Sequence, residues 1–251
     1  MKGKLRLITR LDVKDENLVK GIQFEGLRKL GPPRDFARRY YQQGIDEVLY
    51  LDTVASLYGR NNLAHVLEEA TRDVFVPITA GGGLRSVEDV RALLRAGADK
   101  AAINTAALRD PDLITRVAEV FGSQCMVVSI QAKRTANGWE AYCENGREHS
   151  GRDAVEWAAE AERRGAGEIL LTSVDCEGLR RGMDTELIRA VCQRVRIPVI
   201  AAGGASEVSH LCAAADCGAS ALAVGSMLHY GAADVASLKQ ALTQNGWEVR
   251  P

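Results

Sequence analysis

The sequence predicts an α/β fold, a single (β/α)8 (TIM) barrel spanning residues 1–251 and built by half-barrel duplication. Three observations carry that expectation. Eight short β-branched runs alternate with longer helical patterns, the arrangement that puts parallel strands inside and helices outside. The length of 251 residues is that of one such barrel, with no linker or composition break along it. The chain also repeats itself. Phe75–Leu84 (FVPITAGGGL) aligns with Arg196–Ala205 (RIPVIAAGGA) at an offset of 121, and the same register places Gly97 over Gly218 and Gly44-x-x-Glu47 over Gly165-x-x-Glu168.

In chain order the expected strands are Leu5–Asp12, Glu47–Asp52, Val76–Ala80, Lys100–Asn104, Cys125–Ala132, Glu168–Ser173, Pro198–Ala202 and Ala221–Gly225. Helical stretches follow each, beginning near Pro33, Arg60, Ser86, Asp110, Gly151, Asp184, Glu207 and Ala233. Ser86-x-x-Asp89 reads as a capping box, and Asp110-Pro111 as a carboxylate cap before a proline at the first helical position. Residues 15–32 and 134–150 are insertions after strands one and five, equivalent places in the two halves, and insertions there belong to the active-site face of a barrel.

Composition excludes several classes of function. A net charge of -1 gives no basic field for nucleic acid. No apolar run approaches the roughly 18 residues of a membrane span, and the first residues lack the apolar core of a signal peptide. The six cysteines form no CxxC pair and the four histidines no HxxxH pair, so neither metal site nor disulfide frame is expected. The expectation is a cytoplasmic protein without a cofactor.

Gly81-Gly82-Gly83 and Gly203-Gly204 each follow a strand, where glycine lets backbone N–H groups approach an oxyanion. Asn104-Thr105 and Gly225-Ser226 end the next strands. Two such pairs on opposite sides of one barrel predict two phosphate sites for one elongated ligand. Between them the ends of strands one and five are expected to aim Asp12, Lys14, Gln131 and Lys133 at the ligand's middle, with Asp12 as a candidate general base. Lys20, in the first insertion, is a candidate phosphate contact, although an isolated loop lysine is ordinarily solvent-exposed. Thr172 and Glu177, at and just after strand six, complete the expected ligand-binding set.

Leu11-Asp-Val-Lys14, Val19-Lys-Gly21, Gly81-Gly-Gly83, Arg95-Ala-Gly-Ala-Asp-Lys100, Ile103-Asn-Thr-Ala106 and Gly165-Ala-Gly-Glu-Ile-Leu-Leu-Thr-Ser173 resemble the cyclase subunit of imidazole glycerol phosphate synthase. The resemblance spans the whole chain. It implies a barrel that receives ammonia from a glutaminase docked at its N-terminal face and joins it to a bis-phosphorylated aminoimidazole carboxamide ribonucleotide. By position it implies phosphate contacts at Gly83, Asn104 and Thr105 on one side and at Gly204, Gly225 and Ser226 on the other. It also implies an ammonia gate of Arg6, Glu47, Lys100 and Glu168, and glutaminase contacts at Asp99 and Gln124.

The top face departs from that pattern. Gln131 stands where the family has a second catalytic aspartate, Arg10 replaces a small residue, Leu57-Tyr58 replaces a polar pair, and Glu177 and Leu179 replace Asp and Thr. Arg10-Leu-Asp-Val-Lys14, Val54-Ala-Ser-Leu-Tyr58 and Ser129-Ile-Gln-Ala-Lys133 resemble a paralogous branch associated with sugar amidation in surface-polysaccharide (LPS O-antigen type) biosynthesis, implying a third partner, a sugar amidotransferase. The main expectation is therefore an ammonia-handling subunit that has left the histidine reaction. The alternative is a genuine cyclase of histidine biosynthesis, forming imidazole glycerol phosphate and AICAR. A third reading is a non-catalytic phosphate-binding scaffold.

Overall fold

Alternating branched and polar residues set the inside and outside of a barrel in the computed structural model, which describes residues 4–55 and 63–250. Leu57, Tyr58 and the helix start expected at Arg60 lie outside the described residues. Among the described residues eight parallel strands close on themselves. They are β1 (Arg6–Lys14), β4 (Glu47–Asp52), β5 (Ile78–Gly81), β6 (Lys100–Ile103), β7 (Met126–Thr135), β10 (Glu168–Ser173), β11 (Val199–Ala202) and β12 (Ala221–Val224). The ring shuts where β12 pairs with β1, Arg6 opposite Ala221, and β10 pairs with β7, Glu168 opposite Val127.

The two expected insertions are antiparallel hairpins at the C-terminal mouth. One is β2 (Asn17–Ile22) with β3 (Glu25–Gly31), joined to the end of β1. The other is β8 (Gly138–Cys143) with β9 (Glu148–Asp153), joined to the end of β7.

Strand alternation sorts the side chains. Ile8, Leu49, Val127, Leu170 and Ile200 meet Ala102, Ala202, Ala221 and Ala223 in an apolar layer inside the barrel. Their neighbours Leu7, Leu11, Val48, Tyr50, Val128 and Ile169 face the helices in a separate, larger core. The duplication is visible in the backbone. Gly44 and Gly165, Gly82 and Gly203, Gly83 and Gly204, and Gly97 and Gly218 all take positive φ in matching places.

Helix starts follow the sequence signals with two corrections. Ser86 and Asp89 form the expected reciprocal capping box ahead of the helix Val87–Arg95. The helix expected from Gly151 begins only at Ala154. Gly151, at φ 72°, belongs to β9, and Asp153 accepts from Val155 N and Glu156 N, both at 2.9 Å. Pro111 sits in the cap position rather than inside the helix Asp112–Phe121, with no side-chain cap bond, and the Asp110 carboxylate pairs with Arg116 at 2.6 Å. No helix among the described residues is long and apolar enough to cross a membrane.

Candidate active site

The inward positions of β1 run Arg6, Ile8, Arg10, Asp12 from the barrel floor to its mouth, so a two-residue period stacks a charge below and a charge pair above one apolar layer. At the mouth Arg10 Nε donates to Asp12 Oδ1 at 2.8 Å. Lys20 reaches over from β2, donating to Asp12 Oδ2 at 3.1 Å and to Glu177 Oε1. Arg10 also approaches Glu177 Oε2 at 3.6 Å and Thr172 Oγ1 at 3.4 Å, while its guanidinium lies 5.3 Å from the centre of the Phe24 ring. Two cations and two anions are thus interlocked and buried, and their charges cancel.

This network fixes protonation. Burial pushes the Asp12 carboxyl up, but the charges of Arg10 and then Lys20 outweigh it and hold the group down at about 2. Burial in turn pulls Arg10 and Lys20 down, and the facing carboxylates more than reverse it, so both cations are held more firmly than usual. Asp12 is accordingly a committed anion at neutral pH. Lys20 departs from the ordinary expectation for a loop lysine, being only 7% exposed. The hairpin that carries it is tied down by Gln23, whose N–H donates to Glu177 O at 2.9 Å and whose side chain donates to Asp175 O at 3.2 Å.

Two cavities flank Arg10. The larger, of about 270 Å³, holds Gly83, Asn104, Thr105 and Gln131. The smaller, of about 20 Å³, holds Lys20, Glu177, Gly204, Gly225 and Ser226. The two expected half-sites are therefore brought to one mouth, and the narrow second one opens at Lys20, Gly178, Arg180 and Ser226 onto a wider cleft of about 770 Å³ beside the β2–β3 hairpin. The narrow one is bordered by Lys20 from the β2–β3 hairpin and by the β10 loop that Gln23 grips. Close packing accounts for some of the glycines. A Cβ on Gly204 would lie 2.1 Å from Gly182 O, and one on Gly82 would lie 2.4 Å from Asp52 O.

Gln131 is turned inward, donating from Nε2 to Asn145 Oδ1 at 3.3 Å, while its Oε1 is buried with no partner among the described residues. Lys133 does not join it, since its ammonium sits 4.5 Å from the centre of the Tyr142 ring. Of the residues expected at the ligand, Asp12, Lys14, Lys133 and Thr172 do not line the two cavities, Asp12 being covered by Arg10 and Lys20 and Thr172 approached by Arg10. Sequence reasoning passed over three residues. Glu144 and Asn145 enter the larger cavity from the turn between β8 and β9, where Glu144-Asn145-Gly146 carried an ordinary turn signal. His229, in the short helix Ser226–His229, bonds through Nε2 to Arg10 O at 2.9 Å and through Nδ1 to Tyr40 OH at 2.8 Å. Burial, helped by the Lys20 charge, lowers the imidazole to about 4, so it stands neutral beneath the mouth.

At the opposite end the four residues of the expected gate form a closed ring. Arg6 meets Glu47 and Glu168, each at 2.7 Å, and Lys100 meets Glu47 at 3.2 Å and Glu168 at 2.8 Å. They begin β1, β4, β6 and β10, so the first inward position of four strands supplies alternating charge around the axis. Burial lowers Arg6, and Glu168 and Glu47 together raise it above its usual value. Asp99 and Gln124 are exposed at the same end, where Asp99 Oδ2 accepts from Ile78 N at 2.8 Å and Gln124 donates to Phe121 O at 3.2 Å.

Comparison with known proteins gives a family match and close relatives. The family described as "Histidine biosynthesis protein" matches residues 6–234. A protein of Legionella pneumophila named imidazole glycerol phosphate synthase subunit HisF is 58% identical over 207 residues, covering 82% of this chain and 98% of that protein. Proteins of the same name from Dehalococcoides mccartyi (strain 195) and Thermobifida fusca are 50% and 46% identical, with 98% of this chain covered in each case and 97% and 98% of those proteins.

Proposed function

This chain belongs to the histidine biosynthesis protein family, and from that premise we propose that it is the cyclase-type barrel subunit of an imidazole glycerol phosphate synthase. In this reading a glutaminase subunit docks on the face bearing Asp99 and Gln124 and releases ammonia at the Arg6–Glu47–Lys100–Glu168 ring. The ammonia crosses the apolar layer and meets a phosphorylated ligand held at the mouth. The observation that carries the reading is the stacking of a closed ion ring, an apolar layer and a polar cavity on one barrel axis. The names of the relatives support the histidine pathway as its setting, with imidazole glycerol phosphate and AICAR as products, in place of the expected move to sugar amidation.

Each residue has a definable task. The ring neutralises its own charge in the interior and admits a small neutral molecule in place of ions. Asp12, held anionic by Arg10 and Lys20, fixes the two cations at the mouth and has no proton to supply at neutral pH. Gln131 donates and accepts hydrogen bonds and cannot relay a proton. The backbone around Gly83 and Gly204 anchors the ligand's two anionic ends.

A second reading is supported by one observation, that the mouth carries the amide of Gln131 and an Asp12 clamped by Arg10, neither of which donates a proton at neutral pH. In that reading the barrel conveys ammonia onward to a sugar amidotransferase and closes no ring. The test is ammonia-dependent formation of imidazole glycerol phosphate by the purified protein, supplied with ammonium salt and the bis-phosphorylated ribonucleotide. Product formation above the uncatalysed background supports the cyclase reading. A ligand that binds but is not converted supports the second.

A further inference from the structure

The side chain of Arg10 crosses the bore of the barrel. It rises from β1, two positions above Ile8 of the apolar layer. Its Nη1 reaches Thr172 Oγ1 of β10 at 3.4 Å and Glu177 Oε2, just after β10, at 3.6 Å. In the closed ring β11 and β12 separate β1 from β10 on one side, and β4, β5, β6 and β7 separate them on the other. A chord from β1 to β10 therefore divides the mouth. The half-site with Gly204, Gly225 and Ser226 lies on the first side, and the half-site with Gly83, Asn104, Thr105 and Gln131 on the second. The cavities follow the same division: among the described residues Arg10 is the single lining residue they share.

The divided place is closed above and below. Below it lies the apolar layer. Above it the β2–β3 hairpin brings the Phe24 ring to 5.3 Å from the guanidinium, and Lys20 to Asp12 and Glu177. Phe24 is buried in turn, and a Cβ on Gly146, in the β8–β9 turn, would come within 3.5 Å of its ring. Arg10 Nε also donates to Asp12 Oδ1 at 2.8 Å, so the arm that divides the mouth is the one that covers the carboxylate. With the arm in place the narrow cavity, of about 20 Å³, has room for about one water molecule and none for a phosphoryl group.

A ligand with an anionic group at each end fills both half-sites only by passing through the place where the guanidinium lies. A buried guanidinium leaves its carboxylates reluctantly, because each loses its compensating charge. A ligand that needs the rarer, open arrangement binds more weakly in proportion to that arrangement's population. We propose that Arg10 is a latch between the two half-sites: a ligand spanning both lifts it away from Asp12, and a ligand in the Gly83 half alone leaves it in place. Arg10 is thus a specificity-determining residue that discriminates spanning ligands from short ones, and it uncovers Asp12 only when both half-sites are filled. This role rests on the reading of the mouth as the site of a ligand with two phosphoryl groups.

The test uses two probes, inorganic phosphate and the bis-phosphorylated aminoimidazole carboxamide ribonucleotide, each added to the full chain without ammonium so that no turnover intervenes. NMR of the parent follows the Arg10 Nε–H signal, assigned by its loss in Arg10→Lys. The ribonucleotide is expected to shift that signal. Phosphate is expected to shift the Gly83 amide and leave Arg10 Nε–H unmoved. Calorimetry then compares the parent with Arg10→Val/Glu177→Gln, which removes one charge of each sign and keeps the Lys20–Asp12 pair at 3.1 Å. The ratio of ribonucleotide affinity to phosphate affinity should rise about tenfold in the variant, as for a latch open in about a tenth of the parent molecules. A ribonucleotide that binds the parent without moving Arg10 Nε–H, or a ratio unchanged or lowered in the variant, overturns the latch and leaves the mouth as the ligand site. If neither probe binds either protein, that reading falls and the latch falls with it. Should the double variant fail to fold, the Nε–H signal of the parent decides alone.

Discussion

Replacing Arg6 by methionine tests the gate at the barrel floor. The guanidinium makes two contacts of 2.7 Å, to Glu47 and to Glu168. At an effective dielectric of about 20 each is worth roughly 6 kcal/mol gross, and the desolvation of the buried ions returns most of that. What remains is the penalty of leaving two buried carboxylates with Lys100 as the one remaining cation of the ring, about 3–5 kcal/mol of stability. Glu168→Gln alone leaves the ring with an excess positive charge and also destabilises it. Arg6→Met with Glu168→Gln restores neutrality through the Glu47–Lys100 contact at 3.2 Å, so the double variant should be more stable than the two single effects predict, by about 1–3 kcal/mol. Urea unfolding of the four proteins measures this coupling. The same series, assayed with the glutaminase partner, reads glutamate released against ammonia incorporated. Arg6→Met should raise that ratio well above one. Additivity within about 0.5 kcal/mol, or a single variant as stable as the parent, would refute the ring as an interdependent unit.

Gln131→Asp should raise ammonia-dependent turnover by at most about 10²-fold, the lower end of acid–base catalysis, and by more when Arg10→Val accompanies it; steady-state kinetics at saturating ammonium checks both. Asp12→Asn should cost at least about 2 kcal/mol at pH 7. Asp12 is lowered to about 2 in the fold, so its contribution is present above the unfolded value near 4 and fades as pH falls toward 2. Parent and variant stabilities should therefore converge across that window in urea titrations. His229, lowered to about 4, acts in the same direction: the unfolded chain takes up its proton near 6.5 and the folded chain does not, so stability falls by about 3 kcal/mol between pH 7 and pH 4. His229→Gln should flatten that slope, and an unchanged slope would assign it to other groups. Gly204→Ala places a Cβ 2.1 Å from Gly182 O at a φ of 94° and should destabilise the protein by more than about 1 kcal/mol, seen as a lower urea midpoint.

The barrel was legible in the sequence because its determinants are local and repeated. Strand alternation, the Ser86–Asp89 cap and the glycines at an offset of 121 each act over a few residues, and the duplication states them twice. The ring was expected only from the family resemblance; the structure puts Arg6, Glu47, Lys100 and Glu168 at strand starts, and the closure of β12 onto β1 and of β7 onto β10 gathers them at one end. The chemistry of the mouth was not legible in this way. Sequence reasoning expected Lys20 either in solvent or at a phosphate and expected Lys133 to be aimed at the ligand. The fold buries Lys20 between Asp12 and Glu177, on the wall of the cavity that holds Gly204 and Ser226, and lays Lys133 on Tyr142. Arg10 and Asp12 are only two residues apart, but the Glu177 carboxylate that closes their network and His229 beneath the Arg10 carbonyl come from far away in sequence. Separations of 219 residues between His229 and Arg10 and 157 between Lys20 and Glu177 leave no periodicity to read. The sequence by itself determined where chain segments lie and which ends of the barrel carry charge. The tertiary structure alone decided which charges neutralise one another and which polar atoms remain for a ligand, because burial and distance, not residue type, set those energies.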